Sequence, residues 1–421
     1  MNTIIIFNFI ISLLFTLCYA YQVFFVIVGL FAKPKKFTEV KQHRYGFVIS
    51  ARNERDVIFG LIESIKAQEY PSELVDIYVI ADNCTDDTAE IAASAGAIVY
   101  ERTDYEKIGK GYALDWFFDQ IKDKVSDEAY DGFFVVDADN VLDGRFVCEM
   151  NRVFSNGYKI ITSYRNSKNY GQNWLTAGYS LWFLREAKYL NNARMQLGTS
   201  CAISGTGFLV SSDVIRRNGG WIHHLLTEDL EFTAESVLQG EKIGYCADAV
   251  LYDEQPTKFS QSYAQRLRWA KGFYQVFMKY GKRLTKGIFC GSFSCYDLLM
   301  TLMPAMLLTL VSVAVNIVAV PMVFINNISE VAGVLISLGR TFMGFYVMFF
   351  AMGLITTMTE WEKIYCSNIK KVLYLFTFPL FMMTYIPISV IALFKKVQWE
   401  PIKHSVSKSV DDICNKDMSN K

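Results

Sequence analysis

No charged residue occurs between positions 3 and 32, nor in 298–329, 341–359 or 372–394. A helix needs about 20 predominantly apolar residues to cross the hydrocarbon core of a bilayer, and each run approaches or exceeds that length. Charge is crowded into the long stretch between the first run and the second. A chain divided in this way is expected to be a multi-pass protein of the cell membrane carrying one water-soluble unit. The 52% of apolar residues agree, while 42 basic and 42 acidic residues cancel and single out no charged partner. The first run has no basic leader and no clear small-residue cleavage site, so it reads as a retained anchor rather than a signal peptide. Lys33, Lys35 and Lys36 follow it and, by the positive-inside rule, put the soluble unit in the cytosol.

Within that unit, residues 45–50, 77–81, 97–100, 132–138 and 159–164 read as short apolar strands, with helical patterns such as 56–68 and 88–95 between them. Strand–helix alternation predicts an α/β fold, a doubly wound and mostly parallel sheet covered on both faces. Ligands of such sheets bind beyond the carboxyl ends of the strands. Nine cysteines without a Cys-x-x-Cys pair, and only four histidines, argue against a zinc site or a disulfide framework.

Residues 256–286 differ from this pattern. Phe259, Tyr263, Leu267, Ala270, Phe273, Phe277 and Tyr280 recur every three or four residues, in a window with eight basic residues and no acidic one. That is expected to be an amphipathic helix on an anionic membrane surface, the alternative being a helix packed only on the soluble unit. A second short amphipathic piece covers 361–371. The chain therefore divides into an N-terminal membrane helix (3–32), a soluble unit (42–255) and interfacial helices (256–296). A region of about three further spans (297–394) and a polar, poorly ordered tail (395–421) complete it. One span before the soluble unit and three after it would put the tail on the opposite side, whereas Lys395, Lys396 and Lys403 argue for the same side. Pro379 and Pro387 would suit a kinked or re-entrant last segment.

Polar groups cluster after the strands. The first strand leads into Arg52-Asn53-Glu54 and the second into Asp82-Asn83-Cys84-Thr85, which alone would be an ordinary turn with Asp and Thr as helix caps. The run 133–136 delivers Asp137 and Asp139. Two carboxylates so close repel one another without a cation, and hard oxygen ligands suit Mg²⁺ or Mn²⁺ shared with substrate phosphates. Glu228 and Asp229 open a helical stretch, where a carboxylate is either a cap or, at a cleft, a general base. Gln265, Arg268 and Trp269 share one helix face, where an arginine can clamp a diphosphate and a tryptophan can stack on a sugar.

From Arg44 to about Gly272 these features together resemble the family-2 glycosyltransferases, specifically the membrane-integrated synthases of cellulose, mixed-linkage β-glucan, hyaluronan, chitin and poly-N-acetylglucosamine. The resemblance rests on Asp82, the Asp-x-Asp pair, Thr-Glu-Asp at 227–229 and Gln-x-x-Arg-Trp at 265–269, in that order between membrane runs. It implies a GT-A type fold with flanking transmembrane and interfacial helices. It also implies roles: Arg52, Glu54, Asp82 and Lys110 around the nucleotide, and Asp137 and Asp139 at the donor, with Asp139 a direct ligand of Mg²⁺ or Mn²⁺. Asp229, beside Glu228, would be the catalytic base. Gln265 and Arg268 would close over the diphosphate, and Trp269, Gly205 and Thr206 would line the acceptor site. One departure stands out: the family's usual Asp-Asp-Gly-Ser turn reads Ala81-Asp82-Asn83-Cys84 here, leaving one aspartate.

The implied reaction is inverting transfer from a UDP-sugar to a growing polysaccharide, which would thread across the lipid bilayer. The Thr-Glu-Asp triplet resembles the glucan and poly-N-acetylglucosamine synthases more than the hyaluronan and chitin synthases, and of these a β-glucan, cellulose-like or mixed-linkage, made from UDP-glucose is preferred. The alternatives are a poly-N-acetylglucosamine or hyaluronan-type synthase and a non-processive glycolipid synthase. A non-catalytic membrane scaffold would be expected to lose these motifs, and all are intact. With no carbohydrate-binding or regulatory domain evident in the sequence, a single-component synthase assembled as a homo-oligomer is expected. The basic stretch forms a helix face rather than a groove, so no nucleic acid is expected as partner.

Overall fold

A computed structural model describes residues 2–32, 35–326 and 328–414, so Lys33 and the last seven positions of the tail lie outside the described residues. Eight strands form one sheet in the order β3-β2-β1-β4-β7-β6-β8-β5. They are β1 Tyr45–Ala51, β2 Val75–Asp82, β3 Ile98–Arg102, β4 Gly132–Asp137, β5 Val141–Leu142, β6 Ile160–Ser167, β7 Phe208–Ser211 and β8 Ile243–Asp253. The half from β3 to β4 is parallel, as expected of a doubly wound sheet. The other half is mixed, because β7 runs antiparallel to both β4 and β6. β1 and β4 are apolar up to their carboxyl-terminal turns, where Ser50 and Asp137 stand, because both faces are covered. Phe47 and Phe134 stack across them at 4.6 Å between ring centroids. The strand order turns back between β1 and β4, which opens a crevice at their carboxyl ends.

The long amphipathic helix runs from Phe259 to Phe289. One flank buries Val276, Tyr280 and Leu284 against Leu230, Ala234 and Val237 of the Glu228–Leu238 helix. The other buries Leu267, Ala270 and Tyr274 against Ile388 and Ala392. It is therefore a spacer between the soluble unit and the apolar helices, touching both.

Among the described residues, four stretches are long and apolar enough to cross a membrane: Ile4–Phe31, Phe293–Val318, Leu335–Thr359 and Asn368–Phe394. The first three leave most of their surface uncovered, with at most 17% of the residues in their most apolar windows buried, as lipid-facing helices would. The fourth has 50% buried and lies along the soluble unit. Lys370 Nζ donates to the Gly171 carbonyl at 2.9 Å, Phe381 meets the Tyr179 ring at 4.9 Å, and Tyr274 Oη donates to the Ser389 carbonyl at 3.0 Å. The stretch breaks at Thr384, where buried Arg266 donates to the Phe381 carbonyl at 3.2 Å and to Thr384 Oγ1 at 2.5 Å.

Two polar ties hold the apolar helices. Asn8 and Asn316 exchange side-chain hydrogen bonds at 3.2 and 2.9 Å. Deeper, Arg194 Nε pairs with Asp297 Oδ2 at 2.6 Å, and Tyr21 Oη donates to Asp297 Oδ1 at 2.7 Å.

The tail corrects the sequence reading as far as Cys414. Trp399 lies over the Arg52 guanidinium at 5.5 Å, and His404 Nδ1 pairs with Glu54 Oε1 at 2.9 Å. The Ser405 and Val406 amides donate to Glu254 Oε2 at 2.9 and 2.8 Å, and Val410–Cys414 forms a short helix with Ile413 buried. Polar composition suggested disorder, but the partners that pin this segment are distant in sequence and lie on the crevice.

Candidate active site

The positions singled out in the sequence lie at or just after the carboxyl ends of β1, β2 and β4, just before β7, and on the helices that begin at Lys110, Glu228 and Phe259. Asp82, at the end of β2, is buried and ion-paired with Arg102 Nη1 at 2.6 Å. Arg102 in turn donates to the Lys107 carbonyl at 2.8 Å, so the pair braces the loop leading to Lys110. Asn53 and Asn83 hold the two turns with φ of 58° and 53°, values that asparagine tolerates better than most residues. Arg52 lies under Trp399, and Glu54 faces His404. Burial pushes the Glu54 carboxyl up to about 7, against the pull of His404. Burial would depress the His404 imidazole, but the charges of Asp139 and Glu54 outweigh it and hold it up to about 10.

Lys110 joins three parts of the site. It begins the Lys110–Gln120 helix, its ammonium pairs with the Asp137 carboxylate, and it donates to the Gly205 carbonyl at 2.9 Å. Asp137 keeps part of its surface open, whereas Asp139 is buried and accepts the Glu254 amide on Oδ2 at 2.8 Å. Burial alone would raise Asp139, but His404, Lys168 and that amide together hold its carboxyl below the usual range. Among the described residues no cluster of three His, Cys, Asp or Glu side chains forms a complete metal cage. Two oxygen donors at a strand end still fit a Mg²⁺ or Mn²⁺ ion whose remaining ligands are phosphate oxygens and water.

Thr206 departs from its expected role. Its buried hydroxyl accepts the Asp137 amide at 2.8 Å and donates to Asn140 Oδ1 at 2.5 Å, so both its hydrogen-bonding functions prop the Asp137 turn rather than meet an acceptor. Gly205 stands beside Asp229: a Cβ there would lie 4.0 Å from Asp229 Oδ2. Its φ of +77° favours glycine.

Glu228 and Asp229 begin the Glu228–Leu238 helix. Burial raises both carboxyls, and the neighbouring Asp229 charge adds to the rise of Glu228; Lys110 and Arg268 pull the other way. The Phe259–Phe289 helix approaches this turn closely because residue 272 is glycine: a Cβ there would come within 2.5 Å of the Thr227 side chain. On the same helix, Arg268 comes close enough for its charge to act on Glu228 and Asp229. Gln265 Oε1 is buried with no protein partner, and Trp269 packs edge-on against Tyr179 and Phe183 at 5.7 and 6.2 Å.

Several site residues carry no motif. Arg165 on β6 pairs with Asp253, donates to the Ser204 carbonyl at 2.9 Å and stacks 3.7 Å over the Phe183 ring. Lys168, Glu254, Trp399 and His404 also escaped the sequence reading. The one available signal was Asp253-Glu254, an acidic pair closing a strand as Asp137 does.

Residues 43–272 match the model of the family described as Glycosyltransferase like family 2. The chain belongs to that family of glycosyltransferases. The family-2 unit ends just beyond Trp269, so it takes in every motif discussed above. The chain is 26% identical over 284 residues to a beta-monoglucosyldiacylglycerol synthase of Nostoc sp., covering 64% of this chain and 58% of that one. It is 24% identical over 241 residues to a poly-beta-1,6-N-acetyl-D-glucosamine synthase of Staphylococcus aureus, covering 55% of each. The matched region is thus between about half and three-fifths of those relatives' length. A mannosyltransferase from Pyrobaculum calidifontis, solved in complex with GDP-Man and Mn²⁺, superposes with a TM-score of 0.55 at 13% identity. It covers 92% of this chain and 99% of its own, which shows a shared GT-A-like fold.

Proposed function

We propose that this family-2 protein is an inverting transferase that moves a sugar from a UDP-sugar to a hydroxyl acceptor at the membrane surface, extending a β-linked polysaccharide. The observation that carries this reading is the meeting of Lys110, Asp137, Gly205 and Asp229 at the mouth of the β1–β4 crevice, with the Arg268 charge acting on Asp229. Asp229 takes the proton of the acceptor hydroxyl as its oxygen bonds to the anomeric carbon and the bond to the UDP oxygen breaks. Arg268 and Lys110 face the charge that grows on the departing diphosphate. Asp139 and Asp137 would hold the Mg²⁺ or Mn²⁺, which when bound would neutralise part of that charge.

The test is nucleotide release by the full chain in nanodiscs with Mg²⁺ or Mn²⁺, each UDP-sugar supplied separately and the product sized. Long, glucanase-sensitive material from UDP-glucose is the expected result; no turnover with any donor would overturn the reading. A second reading, a glycolipid synthase, is favoured by the similarity to the diacylglycerol-glucosylating relative. A small lipid-extractable product would select it.

The same reading has three membrane crossings, with Asn368–Phe394 lying on the soluble unit as an interfacial element. It is supported by the contacts of that stretch at Gly171, Tyr179 and Tyr274 and by the return of residues 395–414 to the crevice. The soluble unit and chain end then share the cytosolic side, in accord with Lys395, Lys396 and Lys403. A carboxyl-terminal epitope in right-side-out vesicles is expected to resist external protease, and its digestion would refute three crossings.

A further inference from the structure

The helix that begins at Trp174 does not run evenly to Leu197. Between Trp174–Arg185 and Asn192–Leu197 lies a π-helical turn, Glu186–Asn191, of the kind that adds a residue and re-aims side chains, often at functional sites. The turn sits where the soluble unit meets the apolar helices. Arg185 donates to Gln22 of the Ile4–Phe31 stretch at 2.5 Å, Tyr189 bonds Thr359 Oγ1 at 2.5 Å, and Leu190 packs on Phe25. Glu186 points the other way, and Ser204 Oγ donates to its Oε2 at 3.4 Å.

Ser204 precedes Gly205, the residue beside Asp229 Oδ2, and its carbonyl is held by Arg165. Phe183, one helical turn before Glu186, carries the Arg165 guanidinium on its face and Trp269 at its edge. Glu186 thus continues a wall made of Trp269, Phe183 and Arg165, running from the base towards the membrane helices. A purely structural role would have it neutralise a neighbouring arginine, yet among the described residues it makes no ion pair. Arg165 and Arg194 are already paired with Asp253 and Asp297, and Arg185 with the Gln22 amide. It also keeps accessible surface, so it lines a space rather than filling one.

We infer that Glu186 is an acceptor-binding residue, whose carboxylate accepts hydrogen bonds from ring hydroxyls of a sugar acceptor on the membrane side of Asp229. This rests on the transferase reading above and deepens it, since a row of hydroxyls suits a glycan chain better than the single hydroxyl of a diacylglycerol. Burial raises the Glu186 carboxyl, with Arg194, Arg165 and Arg185 opposing the rise. A hydroxyl acceptor supplies the hydrogen bonds that an enclosed carboxylate lacks once water is displaced.

The test uses the full chain in nanodiscs with Glu186→Gln and Glu186→Ala, reading binding of a short β-linked gluco-oligosaccharide by intrinsic tryptophan fluorescence with UDP present. Binding needs no turnover, so it separates this inference from the reaction itself. Glu186→Ala is expected to weaken oligosaccharide binding about ten-fold or more, and Glu186→Gln less because its carbonyl still accepts. UDP affinity and thermal midpoint should match the wild type. Unchanged oligosaccharide binding would overturn the assignment, as would an equal loss of UDP affinity, which would mark Glu186 as a prop for the fold. Failure of the wild type to release UDP from any UDP-sugar would instead count against the transferase reading.

Discussion

Asp229→Asn is expected to lower turnover about a thousand-fold or more while leaving UDP affinity within about two-fold. The amide keeps the shape of the side chain and its place beside Gly205 but cannot take a proton. Arg52 and Glu54 after β1 and Asp82 at the end of β2, proposed to hold the nucleotide, stand on other elements than this turn, so donor binding should register the change little. The pH profile makes the assignment sharper. Burial raises Asp229, and burial with the Asp229 charge raises Glu228, so the pair holds a proton to higher pH than ordinary carboxylates do. Wild-type turnover should therefore climb with pH along an acid limb displaced upward from the usual carboxylate range. The residual rate of Asp229→Asn should lack that limb. A variant that kept both the rate and the limb would show that another group accepts the proton.

The second large effect concerns the buried pair Arg194–Asp297, both 3% exposed at the side chain. Removing one partner leaves an uncompensated charge, which costs about 3–5 kcal/mol in comparable settings, while replacing both by apolar residues is often neutral. Asp297→Leu and Arg194→Met are each expected to lower the thermal midpoint of the detergent-solubilised protein by several degrees. The double variant is expected to recover most of the loss, provided Tyr21 is also changed to Phe. If the double variant falls as far as the sum of the singles, the pair is not coupled as the geometry indicates.

The strands that could be read from sequence were those with uninterrupted apolar runs, such as Phe47–Ile49 in β1 and Phe133–Val136 in β4. β8 was missed because its register against β6 shifts between Ser163 and Tyr164, and exposed Ala247 and Asp248 interrupt its buried pattern. β7 spans four residues and β5 two, too short for any periodicity. In the site, the acidic and Gln-x-x-Arg-Trp motifs announced themselves by residue type and spacing. What joins them did not, because a Lys110–Asp137 pair or a Gly272–Thr227 approach depends on how distant segments fold together. Glu186 and Arg165 lie on ordinary-looking stretches, and His404 sits in a segment whose composition alone argued for disorder.

Trp399 and His404 of the carboxyl-terminal segment lie at the β1–β4 crevice, whereas the amino-terminal segment is a 30-residue helix, about 45 Å long at the usual rise, packed on the apolar helices. Handles added to the two ends would therefore not be equivalent. A bulky fusion carried by this segment is expected to crowd the crevice proposed to take the nucleotide and to depress turnover without harming the fold. The same fusion before Met1 would stand clear of it. For kinetics the protein is best tagged at the amino terminus, and a rate that rises when a carboxyl-terminal fusion is cleaved off would report the position of the tail in solution.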